Sequence, residues 1–458
     1  MTERPDAVTP VSHPAMSYQA AVAYLEGLID YEKTPAGSAA IRLWNLDRMV
    51  HMLAAVGNPH LSLRCLHIAG TKGKGSTAAM AASILSAAGH RTGLYTSPHL
   101  VSFRERIRTN EVLISEAEVV GLVEQVRPIV EEMRGSDIGL PSFFDAYTLM
   151  ALLYFFQQRV DIAVIETGLG GRLDATNVVR PLACAITRIG LDHMQELGGT
   201  VAQIASEKAG IIKAGVPVIS SPQAAEAAEV LESACLERGA QLLMVGAQGP
   251  KVIATRTDDA KREVFTIEGL ERVYRDLSCP LLGAHQAENA AVAIGLTEIA
   301  SRRGVKVGGE QVRAGIEQVR WPGRFQIVSR RPHIVLDGAH DEIGASALAA
   351  TLGAVFRGRR IILVLGVHLD KDAEAIAGVL CPLADRVIAT ASSSPRALEA
   401  AELQKVAFPH SKHTSSYTPV ALAIREAVSA AHPEDVVLVT GSLYVVGEAM
   451  TALGLGPE

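Results

Sequence analysis

The sequence has few cysteines and no long apolar run. Its five cysteines are scattered along 458 residues and form no Cys-x-x-Cys pair, which indicates buried thiols in a reducing compartment. No apolar run approaches the length of a membrane span, and the polar, proline-rich amino terminus lacks the apolar segment of a signal peptide. We therefore expect a cytoplasmic protein that has no contact with a membrane.

An excess of positive charge is also missing. The formal net charge of −6 leaves no surplus of lysine and arginine to neutralise phosphates, which argues against a nucleic-acid-binding protein. Hydrophobic residues make up 48% of the chain and charged residues 20%, which is typical of globular proteins, and the length suits two or three domains. We expect small-molecule ligands and a monomer.

The segment Leu66–Leu85 joins an apolar run, a glycine-rich turn and an alanine-rich helix. This order predicts a phosphate-binding loop, because glycines let N–H groups surround phosphate oxygens and a helix amino terminus carries partial positive charge. The usual spacing has Gly where Ile68 stands and Ser or Thr where Gly75 stands, so a plain turn is the alternative. The predicted nucleotide-binding residues are Gly70, Thr71, Lys72, Gly73, Lys74, Gly75, Ser76 and Thr77.

Apolar strands and helices alternate through both parts of the chain. This alternation predicts an α/β fold with parallel sheets that are covered on both faces. Short alternating segments at about 245–281 predict a small β subdomain. We expect a disordered tail over residues 1–15, an ATP-binding central domain over 16–322 and a second α/β domain over 323–458.

Several polar residues follow directly after predicted strands, where parallel sheets bind their ligands. Glu166 ends a buried strand, and a carboxylate beside a phosphate loop suits Mg²⁺, although alone it would be an ordinary strand-end residue. Ser97 and His193 follow two other strands, and a lone histidine is more often structural. Asp174 and Asn177 stand in a glycine-rich run, either as ligands or as turn formers.

Lys208 has small and apolar neighbours in the run Ala209–Ile211. An unpaired lysine in such surroundings has a lowered pKa, and the neutral amine is open to carbamylation by CO₂. The alternative is a solvated lysine on the polar face of its helix.

The second half of the chain carries further phosphate and nucleotide candidates. Arg324 would balance phosphate charge, and Asp337, at a strand end, would hold a ribose. Gln286 and Asn289 open a helix and would read an adenine edge. Each signal alone is weak, since a strand-end Asp-Gly is first of all a turn.

Taken in order, these motifs resemble those of the folylpolyglutamate synthase and dihydrofolate synthase family, within the Mur ligase superfamily. The resemblance runs from about Tyr18 to the end of the chain. The motifs that carry it are Gly70–Ser76, Tyr95–Leu100, Arg104–Ile107, Glu166–Asn177, Asp192-His193, Glu207–Lys213, His285-Gln286 with Asn289, Arg324, and Asp337–His340.

The resemblance implies a Mur-ligase-type ATPase domain joined to a Rossmann-like glutamate-ligase domain, with ATP and two Mg²⁺ ions between them. It implies Lys74 on the phosphates, Ser97 and Glu166 as ligands of one Mg²⁺, and His193 as a ligand of the second. Lys208 falls on the position that is carbamylated in the family.

The same resemblance places Gln286 and Asn289 at the adenine, Arg324 at the phosphates and Asp337 near the ribose or the catalytic centre. It also implies a set of residues on the side of the folate and glutamate substrates, namely Arg104, Asp174, Asn177, His340 and Ser442.

Three positions depart from the family pattern. Lys72 stands where bacterial members usually have Asn, and Asp145 replaces the more frequent Glu. Asp341-Glu342 replaces the usual Asn-Pro after the histidine, which puts the glutamate pocket in doubt.

The implied reaction is ATP-dependent addition of L-glutamate to a folate-type carboxylate through an acyl phosphate. The acceptor would be dihydropteroate, a reduced folate, or both. The alternatives are a Mur ligase that acts on a UDP-sugar peptide precursor, and a P-loop NTPase without ligase activity. The motifs Arg104–Ile107 and Glu166–Asn177 favour the folate branch.

Overall fold

The computed structural model describes residues 16–30, 45–135, 137–258, 261–411 and 413–457. The tail predicted over residues 1–15 lies outside the described residues. The helices are α1 Tyr18–Glu26, α2 Asp47–Ala55, α3 Lys74–Ala87, α4 Glu116–Glu132, α5 Phe143–Gln157, α6 Met194–Leu197, α7 Val201–Ala209, α8 Ala225–Glu237, α9 His285–Arg302, α10 Gly309–Gln318, α11 Glu342–Val355, α12 Ala373–Leu380, α13 Ala400–Ala407, α14 Val420–Ser429 and α15 Leu443–Ala452.

The strands form three sheets. The first eight strands are β1 Cys65–Ala69, β2 Thr92–Tyr95, β3 Ile107–Thr109, β4 Val112–Leu113, β5 Ile162–Glu166, β6 Ala183–Ile186, β7 Val218–Ser220 and β8 Leu242–Met244. The other nine are β9 Lys251–Thr257, β10 Glu263–Glu268, β11 Val273–Cys279, β12 Gln326–Arg330, β13 His333–Leu336, β14 Ile361–Leu365, β15 Arg386–Ala389, β16 Thr414–Ser416 and β17 Val436–Thr440.

The first sheet has the strand order β4-β3-β2-β5-β1-β6-β7-β8. The six strands from β2 to β8 are parallel, and β3 and β4 add an antiparallel edge that the sequence pattern did not predict. The central strands are apolar and wholly buried, as expected for a sheet that is covered on both faces. Their carboxyl ends therefore meet at one edge.

Helix α3 is the helix that follows the glycine-rich turn, and it is buried almost throughout. Its alanines allow close packing: Ser83 Oγ donates a 2.8 Å hydrogen bond to the carbonyl oxygen of Gly315 in α10. A Cβ on Gly315 would lie 2.4 Å from Cα of Ile84. This close packing fixes the position at which α3 begins, and with it the phosphate loop.

The helix starts follow the capping chemistry of the sequence. Ser115 and Glu118 form a capping box at α4, in which each side chain binds the backbone N–H of the other residue. Ser142 and Asp145 form the same motif at α5. Both helices pack on the first sheet through a shared apolar core.

Strands β9, β10 and β11 form a small antiparallel sheet, and the last six strands form the third sheet, in the order β12-β13-β17-β14-β15-β16. All but β12 are parallel in that sheet, and apolar cores cover both of its faces. The predicted α/β class, with parallel sheets and a small β subdomain, is confirmed. The domain bounds stay predictions.

The five cysteines are buried and unbridged, as the sequence predicts. None of the helices in the described part of the chain has the length and apolar character needed to cross a bilayer.

Candidate active site

A cavity of about 1430 Å³ lies between the carboxyl edge of the first sheet and that of the third. Most of the predicted site residues line it. They are Thr71, Lys72, Gly73, Lys74, Gly75, Ser76, Ser97, Glu166, Asp174, His193, Gln286, Asn289, Arg324, Asp337, His340 and Ser442.

The remaining predicted residues lie outside the cavity lining. Gly70 and Thr77 stand at the two ends of the phosphate loop, and Lys208 lies behind it; Thr77 and Lys208 are buried. Arg104 instead donates through Nε to the carbonyl oxygen of Ile114 at 2.6 Å.

Asn177 and Asp174 stabilise the turn after β5. The Asn177 amide donates to the carbonyl oxygens of Arg172 and Gly210 at 2.9 and 3.1 Å. Asp174 accepts hydrogen bonds from the backbone N–H groups of Gly168 and Leu169, each at 2.9 Å. These contacts are those of turn formers, although Asp174 still borders the cavity.

The phosphate loop is held by the loop that follows β6. The N–H groups of Thr71 and Lys72 both donate to the carbonyl oxygen of Arg188 at 3.0 Å. Gly73 has φ +88°, and a Cβ there would lie 2.3 Å from Oδ1 of Asn289. Glycine at this position therefore serves both the left-handed turn and the close approach of α9.

Asn289 and Gln286 lie one helical turn apart on α9 and are both buried. Asn289 Nδ2 donates to Gln286 Oε1 at 2.9 Å. This hydrogen bond holds the two side-chain amides in place beside the phosphate loop.

Glu166, at the end of β5, carries the buried carboxylate of the site. Its Oε2 accepts a 3.2 Å hydrogen bond from the N–H of Ser97. Burial raises the pKa of Glu166 to about 7, against the attraction of Lys74 and Arg324. A cation at this carboxylate would stabilise its charged form.

Lys208 is the buried lysine that the sequence singles out. Its Nζ donates to the carbonyl oxygen of Gly70 at 2.8 Å. Burial, helped by repulsion from Lys74, lowers the pKa of Lys208 to about 7. The alternative of a solvated lysine is excluded, and a substantial fraction of the amine is neutral near neutral pH.

His193 begins the short helix α6 with a left-handed backbone, φ +51°. Surrounding protein lowers the pKa of His193 to about 4 despite the attraction of Asp192. The ring is therefore neutral at neutral pH, and the His193 side chain, which is 43% exposed, lines the cavity.

Arg324 and Asp337 face each other where the third sheet meets the cavity. Asp337 accepts hydrogen bonds from the N–H groups of Phe325 and Ala339, each at 2.8 Å. Burial raises the pKa of Asp337 and lowers that of Arg324, and each charge opposes the shift of the other. Arg324 lines the cavity and interacts electrostatically with both Asp337 and Glu166, and a guanidinium there suits a phosphate group.

His340 and Ser442 lie on the carboxyl-terminal side of the cavity. His340 Nδ1 is 2.7 Å from the carbonyl oxygen of Gly338, so Nδ1 carries the proton and Nε2 is the acceptor. Ser442 Oγ lies 3.2 Å from Nε2 of His368 and accepts from the N–H of Tyr444 at the start of α15.

Two groups of cavity residues were not predicted from the sequence. Arg48 Nε lies 3.2 Å from Oδ2 of Asp145 at the end of the cavity lined by α5. Lys371 and Arg396 lie on the carboxyl-terminal side, where they pair with Asp192 and Asp370. The sequence signal was slight: Lys371 follows a predicted strand, whereas Arg48 is one arginine in an ordinary helix.

Comparison with known proteins decides the family. Residues 68–297 match the Mur ligase middle domain, and residues 323–443 match the Mur ligase glutamate ligase domain. The chain is 35% identical over 434 residues to the dihydrofolate synthase/folylpolyglutamate synthase of Bacillus subtilis, covering 94% of this chain and 98% of that protein. The chain belongs to the folylpolyglutamate synthase/dihydrofolate synthase family.

Solved structures of this family share the whole architecture. Mycobacterium tuberculosis folylpolyglutamate synthase complexed with ADP superposes with a TM-score of 0.87 at 32% identity, over 96% of this chain and 99% of that one. Escherichia coli FolC in complex with DHPP and ADP gives a TM-score of 0.83 at 31% identity, over 96% and 98%. The Mur-ligase-type fold is thereby confirmed.

Membership in the family also settles the class of reaction. The protein is an ATP-dependent carboxylate–amine ligase that joins glutamate to a folate-type carboxylate. A UDP-sugar peptide ligase is not favoured, since the curated relatives are folate enzymes.

Proposed function

We propose that ATP binds with its phosphates on the loop Gly70–Thr77 and its adenine beside Gln286 and Asn289. Lys74 and Arg324 would contact the phosphates, and Asp337 would lie at the ribose or the reacting centre. The single observation that carries this proposal is the convergence of the loop, Glu166 and Arg324 on one cavity. Relatives of known structure bind ADP, which supports the same site here.

The acceptor would occupy the end of the cavity near α5. Phe144 provides an aromatic surface there, and Arg48 and Asp145 provide a charged pair. An aromatic face beside polar groups suits a pteridine ring. We propose that the enzyme accepts dihydropteroate and reduced folates alike, in line with the dual name of the Bacillus subtilis relative.

Glutamate would bind on the opposite side, near His340 and Ser442. Lys371 and Arg396 also line this part of the cavity. Lys371 pairs with Asp192 and Arg396 with Asp370, so the carboxylates of a bound glutamate would join these existing ion pairs. The bound amine would then face the carboxylate of the folate acceptor.

The residues present fit Mg²⁺. Glu166 is a buried carboxylate whose pKa is raised by its burial, and the hydroxyl of Ser97 lies at the adjacent strand end. His193 presents a neutral imidazole to the same cavity, as a ligand of a second ion requires. Such ions, when bound, screen phosphate charge and polarise the transferring phosphoryl group.

We also propose that Lys208 is carbamylated. The neutral amine would attack CO₂, forming an N–C bond and losing one proton, to give a carbamate. Its lowered pKa supports this, because a neutral amine is required. A ¹³C NMR carbamate signal from protein equilibrated with ¹³CO₂, absent in Lys208→Arg, would test the modification without an activity assay.

In the proposed reaction the acceptor carboxylate attacks the γ-phosphorus of ATP, which releases ADP and leaves an acyl phosphate. The glutamate amine then attacks the acyl carbon, loses a proton and expels phosphate. Lys74 and Arg324 would offset the repulsion between the two anions in the first step. The position of the cavity between two sheets would limit hydrolysis of the acyl phosphate.

Phosphate release by the purified protein tests this function. With ATP and Mg²⁺, turnover should require both glutamate and an acceptor, tested separately as dihydropteroate and tetrahydrofolate. Turnover that is unaffected by either addition would support the alternative of an NTPase without ligase activity. The monomeric state and the cytoplasmic location stay predictions.

A further inference from the structure

Two ion pairs connect the phosphate-loop side of the cavity to its carboxyl-terminal side. The ammonium group of Lys72, in the phosphate loop, pairs with the carboxylate of Asp341. Lys371 Nζ, which follows β14, lies 2.8 Å from Oδ1 of Asp192, which follows β6. Lys72 Nζ also lies 3.3 Å from Oδ2 of Asp192, so the four side chains form one network, here called the bridging network.

The charges of the bridging network balance across the cavity. Each side contributes one lysine and one aspartate, and the side chains are only 11–22% exposed. Ion pairs in such partly dry surroundings are stronger than surface pairs, and a charge left without its partner there is costly. All the charges of the bridging network are therefore paired when the two sides of the cavity have the relative position seen here.

The side chains of the bridging network are attached to well-fixed backbone. The N–H groups of Thr71 and Lys72 bind the carbonyl oxygen of Arg188, which ties the phosphate loop to the segment that carries Asp192. Asp341 Oδ1 accepts from the N–H of Gly344 at 2.8 Å and so caps α11. A change in either ion pair would therefore shift a backbone segment as well as a side chain.

The bridging network also reaches the histidine on the proposed glutamate side. Lys72 Nζ lies 3.3 Å from Nε2 of His340, which is the acceptor nitrogen of that ring. Lys72 thus contacts a group on the carboxyl-terminal side while its backbone belongs to the phosphate loop. The contact therefore joins the phosphate loop to the proposed glutamate side.

We propose that Lys72, Asp341 and Asp192, together with Lys371, are positioning residues that hold the carboxyl-terminal side of the cavity in register with the phosphate loop during amide formation. The inference rests on the proposed ligase function. It adds a role for Asp192 and Asp341 in aligning the phosphate-loop side of the cavity with the carboxyl-terminal side.

A double-mutant cycle tests the proposal. Lys72→Asn leaves the bridging network with one excess negative charge, Asp341→Asn leaves one excess positive charge, and the double variant is again balanced. Each single variant should lose about tenfold in kcat/KM for glutamate, and the double variant should lose about 5- to 50-fold less than the product of the two. Additive losses would overturn the proposal.

Two further measurements distinguish a positioning role of these residues from a role in phosphate binding and from a role in the stability of the fold. The Kd of a non-hydrolysable ATP analogue should stay within about threefold of wild type in Asp341→Asn, because alignment and not nucleotide affinity is lost. An effect of Lys72→Asn confined to that Kd would overturn the proposal, as would lower unfolding midpoints with unchanged kcat/KM.

The matched control is the ion pair between Arg360 and Asp435, which joins Nη1 and Oδ2 at 2.8 Å within the third-sheet region, outside the cavity lining. Arg360→Gln with Asp435→Asn should leave kcat/KM unchanged. Failure of the ligase function itself would be distinguishable, because the wild-type protein would then show no glutamate-dependent turnover.

Discussion

The side-chain nitrogen of Lys208 donates a 2.8 Å hydrogen bond to the carbonyl oxygen of Gly70, the first residue of the phosphate loop. The contact joins α7 to the first residue after β1. It places a buried amine close to Lys74, and repulsion between the two groups favours the neutral form of Lys208. Lys208 therefore influences the site from behind the loop, although it does not line the cavity.

Lys208→Ala should lower ligase activity by about 100-fold or more, because it removes both the loop contact and the proposed carbamate. Short carboxylates such as acetate should restore part of that activity by occupying the vacated space. Lys208→Arg is the control, since it keeps a cation but cannot be carbamylated, and acetate should not rescue it. Full activity of the alanine variant in a phosphate-release assay would remove Lys208 from the site.

The raised pKa of Glu166 gives a signed prediction for stability against pH. In the folded state the pKa of Glu166 is about 7, against 4.5 for the unfolded chain, so the folded state binds more protons between those values. The contribution of Glu166 to the free energy of unfolding should therefore fall by about 3 kcal/mol as pH rises from 4.5 to 7 and stay constant above 7.

Urea unfolding of wild type and Glu166→Gln, without divalent cations, measures that contribution as a difference between two curves. The difference between the two free energies of unfolding should change over pH 4.5 to 7. Adding Mg²⁺ should make that difference smaller at pH 8. Glu402→Gln, on an exposed helix, is the control and should track wild type. A difference that is independent of pH would show that burial does not shift this carboxyl group.

The contact between Gly73 and Asn289 predicts a steric effect on nucleotide binding. In Gly73→Ala the new Cβ would meet Asn289 Oδ1 at 2.3 Å and would force a left-handed backbone on alanine. We expect nucleotide affinity to fall about tenfold, or the free energy of unfolding to fall by about 1–2 kcal/mol. Titration with an ATP analogue and urea unfolding would measure both.

Gly121 provides the matched control for that substitution. It lies inside α4, and nothing lies within 4 Å of a Cβ placed on it. Gly121→Ala should stabilise the protein by about 0.5–1 kcal/mol and leave nucleotide affinity unchanged. Equal effects of the two substitutions would contradict the proposed role of Gly73.

The sequence predicted the cavity because local signals and sheet topology agree there. Buried apolar runs predict strands, and parallel strands bring Gly70, Ser97 and Glu166 to one edge whatever the distance between them in sequence. The glycine loop and the capping boxes are equally local, since each depends on a few consecutive residues.

Local sequence signals and sheet topology could not predict side-chain contacts between residues that are far apart in sequence. The pair Lys72 and Asp341 is separated by 269 positions, and no periodicity relates the two residues. Arg104, which the family motif suggested for the substrate side, binds the carbonyl oxygen of Ile114, because β3 turns antiparallel at the edge of the sheet. A motif fixes residue types, whereas only the packed structure decides where each side chain points.

Asp145 links the start of α5 to the acceptor end of the cavity. Its carboxylate accepts from Ser142 as part of the capping box and lies 3.2 Å from Nε of Arg48. Asp145→Asn should lower the free energy of unfolding by about 1–3 kcal/mol and raise KM for the folate acceptor, while KM for ATP stays constant because the phosphate loop lies elsewhere. Asp145→Glu, which introduces the more frequent family residue, keeps the carboxylate. This variant should have the free energy of unfolding and the acceptor KM of the wild type. Steady-state kinetics with each substrate varied in turn would decide, and an unchanged KM for the acceptor would assign Asp145 to the helix cap alone.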